Sequence, residues 1–320
     1  MHRRNLTAAD GESWGGLGLE LPPATEPGLR PRTANGNLIV LSQGPRVVLT
    51  GRIDDDRCGV EYSRTDHYRS PIAPLRAAEA RAVAEACSVA KACAVTEARA
   101  VAGPGGPSWY ARWAHRFAGA LHARAAGPLH EGRWVLSPRL ARQGMAPAAG
   151  GPGGQWRSLL LDGHPDGYID WFDGSWRVMP LRRMPPPDDP RVKACRKQAR
   201  EGILAPVLLW WFSGLNCHVV LDGHARLGAA IAENREPAVL VLSRAPSREQ
   251  TGARTDRALS AYRLTMSLLD GPHPVTDRQG LAGAAGRLLA AQLHSLKADY
   301  APTRAWPVPS GPPARHRPVP

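Results

Sequence analysis

Between residues 207 and 242 the chain switches between short runs that are apolar at nearly every position and one stretch with helical spacing. Residues 208–212 and 218–221 are too short for helices and rich in β-branched and aromatic side chains, which predicts buried strands joined by Ser213-Gly214-Leu215-Asn216. From Ala225 to Asn234 the apolar residues Leu227, Ala230 and Ile231 recur every three or four positions, and Pro237 forbids continuation of that helix. Residues 238–242 return to an apolar run, so the passage reads strand, turn, helix, strand.

Elsewhere the pattern is weaker. Residues 1–36 hold Gly, Pro, Thr and Arg with no period and predict a flexible arm. Residues 37–41 and 46–49 read as a hairpin around Ser42-Gln43-Gly44-Pro45, followed by the acidic loop Asp54-Asp55-Asp56. Pro74 opens a long Ala-, Glu- and Arg-rich helix over 75–101. Ser108 is placed to cap a second helix whose Trp109, Trp113 and Phe117 fall at i, i+4 and i+8, a stripe that suits a core better than base stacking. The run GMAPAAGGPGG at 144–154 predicts a linker. Beyond it, 156–161, 168–172 and 176–184 read as strands separated by Asp-Gly turns. The acidic positions Asp162, Asp166, Asp170 and Asp173 have the count of a calcium loop, but their flanks read as strands.

Asp189-Pro190 and Gly202 bracket a helix over 190–201, and Lys193, Arg196, Lys197 and Arg200 form one basic face on it, either solvated or in contact with phosphate. Two further helices, 248–269 and 277–296, flank Gly271-Pro272-His273-Pro274, a poor turn for a helix-turn-helix. The proline-rich segment 301–320 predicts a disordered tail. The expected fold class is therefore α+β. It has a flexible arm (1–36), an α-rich, poorly ordered N-terminal region (37–143), a linker (144–154), a strand-rich domain (155–245), two helices (246–300) and a tail (301–320).

Composition narrows the function classes only slightly. Gly and Pro number 33 and 31 and aromatics make up 6% of the 320 residues, which argues for much loop. The net charge of +13 invites nucleic acid, yet basic and acidic residues are spread along the chain without a polybasic run. Five cysteines without Cys-x-x-Cys spacing do not suggest a disulfide scaffold or a metal site. With no 18-residue apolar run and no signal-peptide pattern at Met1, the expectation is a cytoplasmic protein with no membrane partner.

The chemistry concentrates at Asp222-Gly223-His224-Ala225-Arg226. Gly223 permits a left-handed turn that leaves helix N–H groups facing outward, an anion site. Arg226 stands in the first helical turn, where a cation is disfavoured by about 0.3–1 kcal/mol, so a negative group should lie beside it. That group is either a phosphate or carboxylate of a ligand, or the Asp222 side chain at the surface.

At these residues the sequence resembles the ParB/sulfiredoxin-like superfamily, whose members carry glycine, two variable residues and arginine at this turn. The resemblance runs back through the 176–184 strand, the helix near 190–201 and Gly202-Ile203-Leu204-Ala205-Pro206-Val207, similar to the family's glycine, apolar pair, x, proline, strand passage. His224, Ala225, Leu227 and Gly228 stand where ParB proper has a glutamate, an arginine, an aromatic and another arginine. His224 also occupies the place of sulfiredoxin's catalytic cysteine. The loop is most similar to the Asp-Gly-His-His-Arg type of the free-serine kinase branch, differing at Ala225.

The resemblance implies a nucleotide-binding protein. ATP, ADP or CTP, with Mg2+, would be held through Asp222, Gly223, His224 and Arg226, and phosphotransferase activity is conceivable. Asp222 or Glu201 is then the candidate base, and His224 a phosphate donor or acid. Two other readings stay open: a ParB-like DNA-binding or regulatory protein that touches DNA non-specifically, and an interaction module without a ligand.

Overall fold

In the computed structural model, the described residues are 1–8, 11, 13–54, 56–93, 105–138, 151–171, 177–270, 277–298 and 301–308. The strands, in chain order, are β1 (His2–Thr7), β2 (Trp14–Leu21), β3 (Leu29–Ala34), β4 (Leu38–Gln43), β5 (Arg46–Asp54), β6 (Gly59–Arg64), β7 (Gly132–Ser137), β8 (Asp166–Asp170), β9 (Val178–Pro180), β10 (Val207–Phe212), β11 (Cys217–Asp222), β12 (Val239–Arg244) and β13 (Trp306–Pro307). The helices are α1 (Ala77–Cys93), α2 (Pro107–Ala123), α3 (Gly151–Leu159), α4 (Pro190–Arg200), α5 (His224–Ala232), α6 (Arg248–Leu269) and α7 (Arg278–Ala298).

Two compact units result, one of Met1–Ser243 with Pro302–Pro320 and one of Arg244–Ala301. The first holds two sheets. One has the order β1-β2-β7-β12-β10-β11-β9 and the other β13-β3-β4-β5-β6-β8. In the first sheet β10 runs antiparallel to β11 but parallel to β12, and β11 runs parallel to β9.

β10 is apolar at every position, and β11 and β12 at most of theirs, because both faces are covered. Along β10, Leu208, Trp210 and Phe212 point into the large core shared with β4, β5 and α2, while Val207 and Leu209 point to a smaller core with α3 and α5. In β12, Leu240 and Leu242 alternate in the same way with Val239 and Val241. The Trp109, Trp113 and Phe117 stripe of α2 is at most 1% exposed and belongs to the large core.

These sheets overturn the expected fold class. The strand-rich part begins in the N-terminal half, where the sequence predicts an arm and an α-rich, poorly ordered region, and it is not a C-terminal domain. Residues 1–36 contribute β1 to β3, and β7 lies next to β12, so the 155–245 passage shares its sheet with strands that precede it by more than a hundred residues. The arm reading fails because its apolar residues are few but well placed: Leu17, Leu19 and Leu21 alternate on β2 and are all buried.

The predicted strand at 156–161 is another correction. Residues 151–159 form α3, whose Trp156 and Leu159 pack against the sheet, and of the predicted linker only 144–150 lies outside the described residues. Asp166 and Asp170 bound β8 rather than a loop, whereas Asp173 lies outside the described residues. At the other end of the chain β13 pairs in parallel with β3, and Thr303 exchanges hydrogen bonds with Ser213, so 302–308 are part of the first unit's fabric; 309–320 lie outside the described residues.

The second unit is built on α6 and α7. Ser247 caps α6 in a reciprocal capping box with Gln250. Arg278 of α7 pairs with Asp270, which follows α6. Leu264, Leu268, Leu281 and Leu288 are exposed. Residues 271–276, where the Gly-Pro-His-Pro break falls, lie outside the described residues.

Candidate active site at the β11–α5 turn

β11 ends at Asp222, and Gly223 caps α5 in the left-handed region, with φ +99° and ψ 25°. A β-carbon at Gly223 would lie 2.8 Å from Arg226 Nη2, so a side chain there is strained by conformation and has to displace the guanidinium. The guanidinium therefore folds back over its own helix N-terminus. Arg226 Nη2 donates to Asp222 Oδ2 at 2.6 Å and to the carbonyl of Pro206 at 3.0 Å. The Asp222 pair does form, but as a largely buried one, with the side chains 9% and 14% exposed. A cation in the first turn of a helix is thus compensated from within the chain. Arg226 Nε has no hydrogen-bond partner among the described residues.

His224, the first residue of α5, is 1% exposed. Its ring lies 6.2 Å from that of Tyr68, and its Nε2 has no hydrogen-bond partner among the described residues. Burial holds its pKa well below the ordinary histidine value, and Arg182, Arg226 and Arg64 push it the same way. The imidazole is therefore neutral at neutral pH.

Four contributors lie outside the motif. The hydroxyl of Ser70 donates to Asp222 Oδ1 at 2.7 Å, so both carboxylate oxygens are engaged. Tyr68, fully buried, donates to the carbonyl of Leu221 at 2.5 Å, and desolvation raises its phenol pKa well above the usual value. Arg64, the last residue of β6, is 3% exposed; its Nη1 donates to the carbonyl of Pro180 at 2.7 Å, while Nε and Nη2 have no hydrogen-bond partner among the described residues. Arg182, half-buried, acts electrostatically on both Tyr68 and His224. All four precede the turn by 40 to 160 residues or so, and no local pattern marks them; only the later pairing of sheets brings them near.

The other predicted residues separate from this group. Cys195 of α4 feels the charges of Arg226 and Asp222. Glu201, six residues on and about 9 Å further along the helix direction, pairs instead with Arg81 at 3.2 Å. The structure does not bring Glu201 to the turn. On the basic face, Arg196 and Arg200 converge on Glu233 at 2.6 and 3.6 Å, and Lys193 and Lys197 are exposed. Half of that face is thus committed to holding α4 against the end of α5.

A cleft of about 620 Å³ opens near the opposite end of α5, lined among others by Trp109, Tyr110, Gly202, Leu204 and Glu236, and none of the turn residues borders it. Among the described residues, no three His, Cys, Asp or Glu side chains gather to hold a metal ion, and no helix is long and apolar enough to cross a membrane. Compared with family models, with curated proteins and with solved structures, the chain matches none.

Proposed function

We propose that this chain binds a nucleotide, with the phosphates at the Asp222-Gly223-His224-Ala225-Arg226 turn in the manner of ParB/sulfiredoxin-like proteins. The observation that carries the reading is the pair of buried nitrogens at one helix N-terminus, Arg226 Nε and His224 Nε2, for which the described residues offer no hydrogen-bond partner. Unmade hydrogen bonds of buried polar groups cost about 1–3 kcal/mol each, more for charged ones, and an anionic ligand removes that cost. The left-handed Gly223 adds backbone N–H groups and the positive end of α5.

Binding is the part of the reading with geometric support. Phosphoryl transfer needs a base near the acceptor, and Asp222 has both oxygens engaged while Glu201 is held by Arg81. Mg2+ would enter with the phosphates, through their oxygens rather than through a preformed protein cage.

Thermal denaturation with ATP, ADP, CTP and GTP tests this directly. A nucleotide present at 100 times its dissociation constant raises stability by about 2.7 kcal/mol, a shift of several degrees. Failure of all four to shift the melting temperature at millimolar concentration overturns the nucleotide reading.

A further inference from the structure

We propose that the α6–α7 hairpin docks face to face on the same hairpin of a second copy of this chain, closing a four-helix bundle about a two-fold axis. The docking face is Ala261, Leu264 and Leu268 of α6 with Leu281, Ala284 and Leu288 of α7. None of these residues belongs to the β11–α5 turn, so the proposal stands apart from the nucleotide reading.

The hairpin has no core of its own. α6 and α7 pack on each other, yet among the described residues neither helix has a buried side chain. The better covered positions are only half-buried, among them Tyr262, Met266 and Leu269 on α6 and Ala285, Leu289 and Leu293 on α7. Helices in proteins are held mainly by packing an apolar face rather than by propensity. Propensity is poor here in any case, with Gly252 inside α6 and Gly280, Gly283 and Gly286 inside α7. Two helices make one layer, and an apolar face needs a second layer to bury it.

The remaining apolar positions fall on one side of this layer. Residues 270–277 reach at most about 28 Å, whereas the 22 residues of α6 span about 33 Å. Helices packed along one another across so short a link run antiparallel. At about 100° per residue, the stripe of Ala261, Leu264 and Leu268 lies about 120° from the half-buried line of α6. Leu281, Ala284 and Leu288 lie about 120° from that of α7, turned in the same sense along the sequence. In an antiparallel pair, equal turns of this kind bring both stripes to the same side. All six positions are exposed, the four leucines between 48% and 70%.

Size, chemistry and register fit a second copy. Two helices side by side present about 20 Å by 30 Å, so face-to-face docking buries about 1,200 Å² in all, the lower end of stable interfaces. No charged side chain stands among the six, so a polyanion or a charged peptide finds no counter-ion on the stripe. With the two-fold axis parallel to the helices, α6 of one copy lies against α7 of the other. The Arg278–Asp270 pair levels the two helix ends beside the connection. Counting about 1.5 Å per residue from there, Leu268, Leu264 and Ala261 of α6 stand at about 1.5, 7.5 and 12 Å, and Leu281, Ala284 and Leu288 of α7 at about 4.5, 9 and 15 Å. The positions interleave, Leu264 beside Ala284 and Leu288 beside Ala261, so large side chains meet small ones along both seams of a self-complementary face.

The test is analytical ultracentrifugation of the full chain over roughly 1 to 100 μM, a range that brackets a micromolar dissociation constant, with circular dichroism to follow helix content. Wild type is compared with Leu264→Ser combined with Leu288→Ser, and with Arg263→Ser, an exposed position of α6 off the stripe. Wild type and Arg263→Ser should sediment at twice the mass of the chain, and the double variant should dimerise about a hundredfold or more weakly. Where the double variant loses its helices, Leu268→Ala decides, since it keeps helix propensity and should weaken the dimer about tenfold.

A wild type that stays monomeric throughout the range overturns the proposal. So does a dimer that neither leucine variant weakens, because its interface then lies elsewhere. A monomer that floats with vesicles of anionic phospholipid also overturns it, and assigns the stripe to a membrane surface instead.

Discussion

At Gly223 a single missing side chain serves the backbone and the site together. With φ at +99° and Arg226 Nη2 2.8 Å from where a β-carbon would stand, Gly223→Ala must both strain the turn and displace the guanidinium. The expected loss is about 1–3 kcal/mol, read by urea denaturation, and an unchanged midpoint would mean that the turn relaxes freely. Arg226 is a harder case. From the sequence alone its removal should be neutral in the free protein, because a cation sits badly in a first helical turn; the Asp222 pair and the Pro206 contact reverse that expectation. Arg226→Ala should destabilise the ligand-free protein by about 3 kcal/mol, the penalty for breaking a buried pair from one side, with Ser70 left to hold Asp222. A neutral result by the same denaturation measurement would show that Asp222 finds water at once.

His224 adds a pH dependence whose sign follows from its depressed pKa. The unfolded chain takes up a proton near pH 6.5 and the native state does not, so the contribution of His224 to stability is complete above that pH and is lost as the pH falls below it, by up to about 1.4 kcal/mol per unit. In His224→Asn the slope of stability between pH 6.5 and 5 should be shallower by that one proton.

Among the elements, those set by dense local pattern were legible and those set by contact were not. β10, β11, α5 and β12 follow from apolar runs, Gly223 and Pro237; α4 follows from Asp189, Pro190 and Gly202, with Asp189 accepting from the Arg191 amide at 2.7 Å. At α3 the sequence misleads, because Gly151, Pro152, Gly153 and Gly154 carry every mark of a linker. The glycines answer a need of tertiary packing: a β-carbon at Gly153 would stand 2.6 Å from the Ile231 carbonyl, and the Gly153 amide donates to Asn234 Oδ1 at 2.8 Å. Close approach to α5 overrides propensity. Gly153→Ala should therefore cost about 1–3 kcal/mol, visible as a lowered melting temperature, whereas a linker glycine would tolerate alanine. The site divides along the same line. Asp222, Gly223, His224 and Arg226 are contiguous and readable as a motif, while Arg64, Tyr68 and Ser70 are brought to it only by the meeting of two sheets.

Over the whole molecule, that meeting decides what can fold by itself. A chain cut to residues 155–245 keeps β9 to β12, α4 and α5, and by its sequence alone it looks self-sufficient. In the structure it loses β7, and with it the neighbour of β12, exposing an edge of unpaired backbone groups. It also loses Trp109, Trp113 and Phe117, whose core contains Leu208, Trp210, Leu240 and Leu242. The turn suffers as well, since Tyr68 no longer holds the Leu221 carbonyl and Ser70 no longer holds Asp222. The fragment 155–245 should therefore lack cooperative unfolding and dispersed amide resonances, and bind neither phosphate nor nucleotide, whereas 1–308 should show all of these. A folded 155–245 with native-like dispersion would mean that β9 to β12 close their core without the preceding strands, and the single-unit description of Met1–Ser243 would fall with it.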